Sequence, residues 1–343
     1  MKAIVKARPG PGAEMRDMAP PSLVRPDDVA VRPRMVSICG TDYHVYAWDP
    51  WSSRRVTPPR IMGHEFAGEV VAVGDEVSDL RPGDLVSGES HRVCGICLQC
   101  RTGQGHVCAH TSIFGVDGDG CFAQSVVVPR ASLWSNPADL PMHIACVQDP
   151  LGNAVHATLA GEVAGCSFVV LGCGPIGLMA IAVARACGAG VIVATDTREY
   201  RLLLAKKMGA DVTVNAATED VEAECRDVSP EGMDVSLEMS GAPSAIVAAL
   251  RSVRRGGRVS LMGIPSRPVE LDVAEDMVMK GLDIRCIVGR RLYSTWATMS
   301  ALLASGRLDI SPVITHQLPW DEFARGMDLM RDGLCGKVVL HIP

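Results

Sequence analysis

The 343-residue chain has no excess of basic residues: 33 Lys and Arg stand against 39 Asp and Glu, for a net charge of −6. With no basic stripe, nucleic acid and anionic membrane are not expected partners. A membrane-length apolar run is also missing. The most apolar stretch, FVVLGCGPIGLMAIAVARACGAGVIVA at 168–194, is broken by glycines, Pro175 and Arg185, short of the ~20 consecutive apolar residues that span a bilayer. The start, MKAIVKARPGPG, has no apolar core ahead of a small-residue cleavage site. No export signal is therefore expected, and the expected location is the cytoplasm. A disulfide framework is equally out of place in a long chain of that compartment. Nine of the 13 cysteines are scattered singly: Cys39, Cys121, Cys146, Cys166, Cys173, Cys187, Cys225, Cys286 and Cys335. Most of these read as small buried fillers.

What remains is an ordinary globular composition, 48% apolar and 21% charged, long enough for two hydrophobic cores. The other four cysteines crowd into CGICLQCRTGQGHVC, residues 94–108. Cys94, Cys97, Cys100 and Cys108 are spaced C-x2-C-x2-C-x7-C. Two-residue gaps let neighbouring thiolates turn toward one point, and the longer gap closes the loop. Four thiolates complete a tetrahedral Zn²⁺ and leave no position for substrate, so the site reads as structural. An iron–sulfur cluster is the alternative, but a ferredoxin-type run favours Cys-Pro, and Cys108 is followed by Ala109.

From residue 167 the pattern becomes strand, glycine turn, helix. SFVVLGCGPIG carries Gly172-x-Gly174-x-x-Gly177, then LMAIAVARACG, then the strand GVIVATD ending in Asp196. That context turns a weak glycine pattern into a dinucleotide-binding one. Gly172 permits the turn, Gly174 lets the backbone approach a pyrophosphate, and Gly177 lets the helix pack on the strand. Asp196 would accept from the adenosine ribose hydroxyls and repel a 2′-phosphate, which favours NAD; Arg198 keeps NADP as the alternative. Ile176 and Arg201 are counted with this cofactor site. Strands continue at 211–216, 233–241, 257–264 and 282–289, with helical stretches between them around 198–209, 219–227, 243–255 and 271–280. Six strands alternating with helices predict an α/β, doubly wound parallel Rossmann sheet. Its strand ends place Met262, Gly263 and Ile264, with Ile287 and Val288, beside the nicotinamide half of the cofactor. The first 150 residues are short apolar runs punctuated by Pro and Gly, as in a β-rich, partly open barrel. A long helix from 291, a helix over 319–332 and a terminal strand GKVVLHI follow the sheet. If that strand pairs back, the β-rich domain is discontinuous, 1–152 with 291–343, around a nucleotide domain of 153–290.

Upstream, SICGTDYHVY and GHEFAGEV offer Cys39, His64 and Glu65, and VQDPLGNAVH offers Asp149. Soft, borderline and hard ligands on separate loops make up an open, catalytic Zn²⁺ site. GHEFAGEVVAVG, the four-cysteine loop and GCGPIG, in this order, resemble the zinc-dependent medium-chain alcohol dehydrogenase family over nearly the whole chain. The resemblance implies a GroES-like catalytic domain, NAD, two Zn²⁺ per chain and a small-molecule substrate. It implies Cys39, His64 and Glu65 as catalytic zinc ligands and Asp149 as an acidic residue that ligates or tunes the metal. Thr41 and His44 fall at the family's proton relay. Within the family, ICGTDYHVYAWDPWS, SGESH, DPLGNAVHATL, EMSGAP and GRRLYSTW look most like the branch that oxidises L-threonine at its secondary hydroxyl to 2-amino-3-oxobutyrate. That branch implies a homotetramer. A polyol or butanediol-type secondary alcohol is the alternative substrate, and a zinc- and nucleotide-binding protein without turnover is the alternative class. Arg290, Arg291 and His91 are the cations considered for a substrate carboxylate.

Overall fold

The computed structural model describes residues 1–343. The strand Asp28–Ser37 (β1), DVAVRPRMVS, with seven of its ten residues buried, is the spine of the first unit. Pro33 sits where its register with Glu65–Val73 (β2) shifts, a place that tolerates a missing N–H. Beyond β2 lie Leu85–Gly88 (β3) and then Leu133–Ser135 (β5), while Val126–Pro129 (β4) pairs with the other edge of β1. A single core of valines, isoleucines, Phe66, Phe114 and Phe122 fills this β-rich layer.

The second unit, Pro150–Val313, is built around Phe168–Leu171 (β6), FVVL, every residue buried, as a parallel strand covered on both faces requires. With Ile192–Asp196 (β7), Val212–Asn215 (β8), Met233–Glu238 (β9), Val253–Leu261 (β10) and Asp283–Cys286 (β11), it forms an all-parallel sheet. The order is β8-β7-β6-β9-β10-β11. This is the six-stranded doubly wound sheet that the alternation of strands and helices predicted, with the strand order reversing at β6.

The chain then returns to the first unit, which comprises Met1–Asp149 and Ile314–Pro343. Lys337–His341 (β13) pairs antiparallel with β1, Val339 opposite Ser37, so the terminal strand does complete the N-terminal sheet. Three details differ from the sequence reading. Ile314–Pro319 (β12), not anticipated, runs parallel beside β13. Its six residues ITHQLP contain no simple apolar alternation, and only the neighbouring strand makes it extended. The helix anticipated around 271–280 is a single wide turn, Ala274–Val278, in which Met279 N–H bonds to Ala274 five residues back. The helix Ser294–Ala304, with Trp296 and Met299 buried, goes with the second unit, so the division falls after Val313 rather than at 291.

Candidate active site

Four sulfurs of the knuckle loop come together. Sγ of Cys108 is 3.6 Å from that of Cys94 and 3.8 Å from that of Cys97, and all four ligand atoms lie within 4.8 Å of one another. A tetrahedron with Zn–S near ~2.3 Å has S–S edges of about 3.8 Å. Cys94 N–H and His110 N–H donate to Cys108 Sγ, and Cys97 N–H donates to Cys94 Sγ, the pattern expected of thiolate acceptors. Gly95 (φ 73°) and Gly103 (φ 78°) make the turns. Ile96 and Leu98 stay 81% and 72% exposed, so the loop has no apolar core and needs a cross-link to hold its shape.

A second ligand group forms in the same unit. Cys39 leaves β1 and begins the helix Gly40–Ala47 (α1). The turn before His64 runs through Gly63 at φ 89°, where a Cβ would strike the Phe122 ring. Glu65 opens β2 directly opposite Ser37. Cys39, His64 and Glu65 present ligand atoms within 4.8 Å of one another. His64 and Glu65 are 4% and 1% exposed. His64 Nδ1 lies 3.4 Å from Asp42 Oδ1, and Asp42 Oδ2 accepts Cys39 N–H at 2.9 Å. One carboxylate thereby orients two of the three ligands, as outer-shell carboxylates do around bound metals.

Glu65 is held from behind. Its Oε2 accepts from Ser37 Oγ and from Lys337 Nζ, the latter at 2.5 Å. Lys337 precedes Val339 by two residues and so shares its face of the pleat, beside Ser37. Glu65 Oε1 is buried with no protein partner. Burial would lower the pKa values of His64 and Lys337, but Asp42 and Cys39 around the one, and Glu65 and Cys39 around the other, raise them. The surroundings draw positive charge. A soft, a borderline and a hard ligand, with one carboxylate oxygen unused, fit a divalent cation such as Zn²⁺. Asp149 is buried in the same unit and accepts Ser90 N–H at 3.1 Å, but it is not one of the three gathered ligands. Thr41 Oγ1 lies 3.9 Å from Cys39 Sγ, and His44 follows one turn later on α1.

The nucleotide half is in the second unit. Gly172 has φ 98°, and a Cβ there would meet Ser240 at 2.8 Å. Gly177 lies so close to the turn that a Cβ would be 1.9 Å from Gly172 O, whereas a Cβ on Gly174 meets nothing within 4 Å. Gly177 is therefore a packing residue, while Gly174 lines open space at the start of Pro175–Ala186 (α2). A helix N-terminus opening onto such space fits a pyrophosphate. Asp196 ends β7; its Oδ2 accepts Cys173 N–H (2.8 Å) and its Oδ1 accepts Arg198 N–H (3.0 Å), with Arg201 at 3.7 Å. A cavity of about 380 Å³ lies here, lined by Gly172, Asp196, Arg201, Ala216 and Ser240. It fits the adenosine half of a dinucleotide. Farther along, Gly263 abuts Gly241 and Glu238. Ile287 is buried, while Ile264 and Val288 are 90% and 50% exposed.

Of the cations considered for a carboxylate, Arg290 is 1% exposed, with a guanidinium nitrogen 3.1 Å from Asn153 Oδ1 and its stem against Gly152. Sequence reasoning missed Asp42, Lys337 and Ser240. Asp42 had a signal, an acidic residue at the third helical position after Cys39, which is where a capping carboxylate belongs.

The Alcohol dehydrogenase GroES-like domain family matches residues 25–138, and the Zinc-binding dehydrogenase family matches residues 175–305. L-threonine 3-dehydrogenase of Bacillus velezensis is 48% identical over 342 residues, covering 99% of this chain and 98% of that protein. L-threonine 3-dehydrogenase of Pyrococcus horikoshii is 47% identical over 344 residues, covering 100% and 99%. The crystal structure of galactitol-1-phosphate dehydrogenase from Escherichia coli matches with a TM-score of 0.91 at 28% identity, covering 100% of both chains.

Proposed function

The chain belongs to the zinc-binding, GroES-like alcohol dehydrogenase family, and from that premise we propose that it oxidises the secondary hydroxyl of L-threonine to 2-amino-3-oxobutyrate, with NAD⁺ as the oxidant. The observation that carries the reading is full-length identity of 48% to an L-threonine 3-dehydrogenase in a chain that also gathers Cys39, His64 and Glu65. The polyol-type relative, at 28%, shares the fold at much lower identity.

Cys39, His64 and Glu65 would hold the catalytic zinc, with Asp149 nearby in the same unit, and the four clustered cysteines a structural one. When bound, the catalytic ion lowers the pKa of a hydroxyl that ligates it, and NAD⁺ supplies the hydride acceptor. Gly172, Gly174, Gly177 and Asp196 would carry the dinucleotide. The chain's own part is to orient the ligands, through Asp42 and Lys337, and to remove the proton. Thr41 and His44 stand three residues apart on α1, on one helical face. Thr41 Oγ1 would accept the hydroxyl proton as it gives up its own, by way of the nicotinamide ribose hydroxyl, to His44, whose side chain is 56% exposed and releases it to water. Threonine thus loses a proton through the relay and a hydride to the cofactor.

The reading is tested by NADH formation with L-threonine at alkaline pH, before and after chelation, against sorbitol, 2,3-butanediol and other 3-hydroxy amino acids. The highest kcat/KM is expected for threonine, abolished by chelation; a higher value for a polyol would overturn it. Thr41→Ala and His44→Ala are expected to keep zinc and NAD⁺ binding and to lower kcat by ~10²–10⁴, the usual contribution of general acid–base catalysis. Normal kcat in both at full zinc occupancy would dismiss the relay.

No helix is long and apolar enough to cross a membrane, and all 13 cysteines are free, which supports the cytoplasm. A homotetramer accords with exposed Val273, Val278 and Met279 and with β11 at the edge of its sheet. Sedimentation at the 36.4 kDa mass of one chain would rule that assembly out.

A further inference from the structure

Trp48 is the one non-glycine residue of the chain with a positive φ, 59° with ψ 48°. A bulky residue persists there only when its surroundings over-determine it, and such residues gather at functional sites. Here the surroundings are specific. Lys6 is fully buried, its Nζ 4.9 Å from the centre of the Trp48 ring. The same ammonium donates to Gly10 O, to Gly12 O at 2.8 Å and to Tyr46 O at 3.2 Å. Burial brings its pKa down to about 8, so it is a cation at neutral pH. Trp48 N–H caps His44 O at 3.0 Å. The turn is thus clamped to the end of α1 from two sides.

The turn folds the next residue back over the helix. Asp49 Oδ2 lies 2.7 Å from His44 Nδ1. Asp49 Oδ1 accepts Ser52 N–H at 2.8 Å, and Ser52 Oγ donates to Asp49 O at 3.1 Å. Both carboxylate oxygens are therefore committed, one to the backbone and one to the imidazole. Trp51 stands edge-on to the ring at 6.0 Å, and the next charge outward, Arg55, lies over Trp51 and is paired with Asp117.

We propose that Asp49 is a positioning residue for the proton relay: by accepting Nδ1–H it holds His44 in the tautomer whose Nε2 can take a proton. The inference rests on the reading of His44 as the outlet of the relay. A stability role does not account for the arrangement, because an ion pair with a half-exposed histidine contributes little to folding. The ring's second nitrogen is useful for proton uptake only while the first keeps its proton.

The test is Asp49→Asn, nearly isosteric and still able to accept Ser52 N–H with its single oxygen. Its NH₂ group then faces Nδ1, which must become the acceptor, so the proton moves to Nε2. In a Ser-His-Asp triad the equivalent exchange lowers kcat ~10⁴-fold through the wrong tautomer. His44 is open to water and can exchange tautomers, so about a 10- to 100-fold fall in kcat is expected here. KM for NAD⁺, zinc content and melting temperature are expected to stay as in the wild type. Histidine-selective ¹⁵N NMR, with the His44 signal assigned by its loss in His44→Asn, should show Nε2 unprotonated in the wild type and protonated in Asp49→Asn. Unchanged kcat in Asp49→Asn, or a lower kcat with an unchanged tautomer, overturns the assignment of Asp49 while leaving the relay standing. Full activity of His44→Ala removes the relay itself, and the role of Asp49 with it.

Discussion

Replacing Cys39 by serine is expected to lower the zinc content from two ions per chain to one and kcat/KM for threonine by at least about a thousandfold. Lewis-acid stabilisation is worth several kcal/mol at the transition state, and each 1.36 kcal/mol is a factor of ten. Serine keeps the shape of the side chain but substitutes a poor donor for the soft one among Cys39, His64 and Glu65. The four-cysteine loop at 94–108 is a separate cluster and should keep its ion. NAD⁺ binding should persist as well, because Gly172, Gly174 and Asp196 belong to the other unit. Metal analysis, a fluorescence titration with NADH and steady-state rates on one preparation check all three expectations. If two ions remain and turnover is intact, Cys39 is not a ligand that matters.

The largest effect on stability is expected from Lys337→Met. Lys337 is 2% exposed and Glu65 1%, and removing one partner of a buried ion pair costs ~3–5 kcal/mol because the other charge stays behind without compensation. Methionine fills nearly the same volume, so cavity formation contributes little. The loss should depend on the metal. A divalent cation held by Cys39, His64 and Glu65 offsets the carboxylate charge that lysine no longer balances. The melting temperature of the variant should therefore fall far more on chelation than that of the wild type. Thermal unfolding of both proteins with and without chelator measures this difference of differences, and equal chelation effects in the two would contradict the electrostatic role given to Lys337. Lys337→Arg, which keeps the charge, should restore most of the metal-free stability.

Local patterns explain why much of this molecule is readable in order along the chain. The strand–glycine–helix run from Phe168 to Ala186 and the strand ending at Asp196 are contiguous. Gly177 answers a contact inside the same turn, against Gly172 O, while Gly174 faces open space and Gly172 meets Ser240 from elsewhere in the unit. The cysteine loop is similar: its spacing brings the sulfurs together with help from Gly95 and Gly103 alone. Where the reading fell short, the cause was distance in sequence. Strand Ile314–Pro319 has no pattern of its own and is extended because Lys337–His341 lies beside it. Asp149, which the family resemblance implies as a residue that ligates or tunes the metal, is buried in the same unit outside the group formed by Cys39, His64 and Glu65.

By itself the sequence determined the dinucleotide turn, the four-sulfur knuckle and the residue types able to hold a second cation, because each of these depends on neighbours a few positions apart. Tertiary structure alone decided that Ser37 and Lys337, from the two ends of the chain, meet on one oxygen of Glu65, and that a left-handed Trp48 turns Asp49 onto His44. Those contacts arise from strand register and from a buried lysine clamping a turn, and neither force leaves a periodic mark in the order of residues.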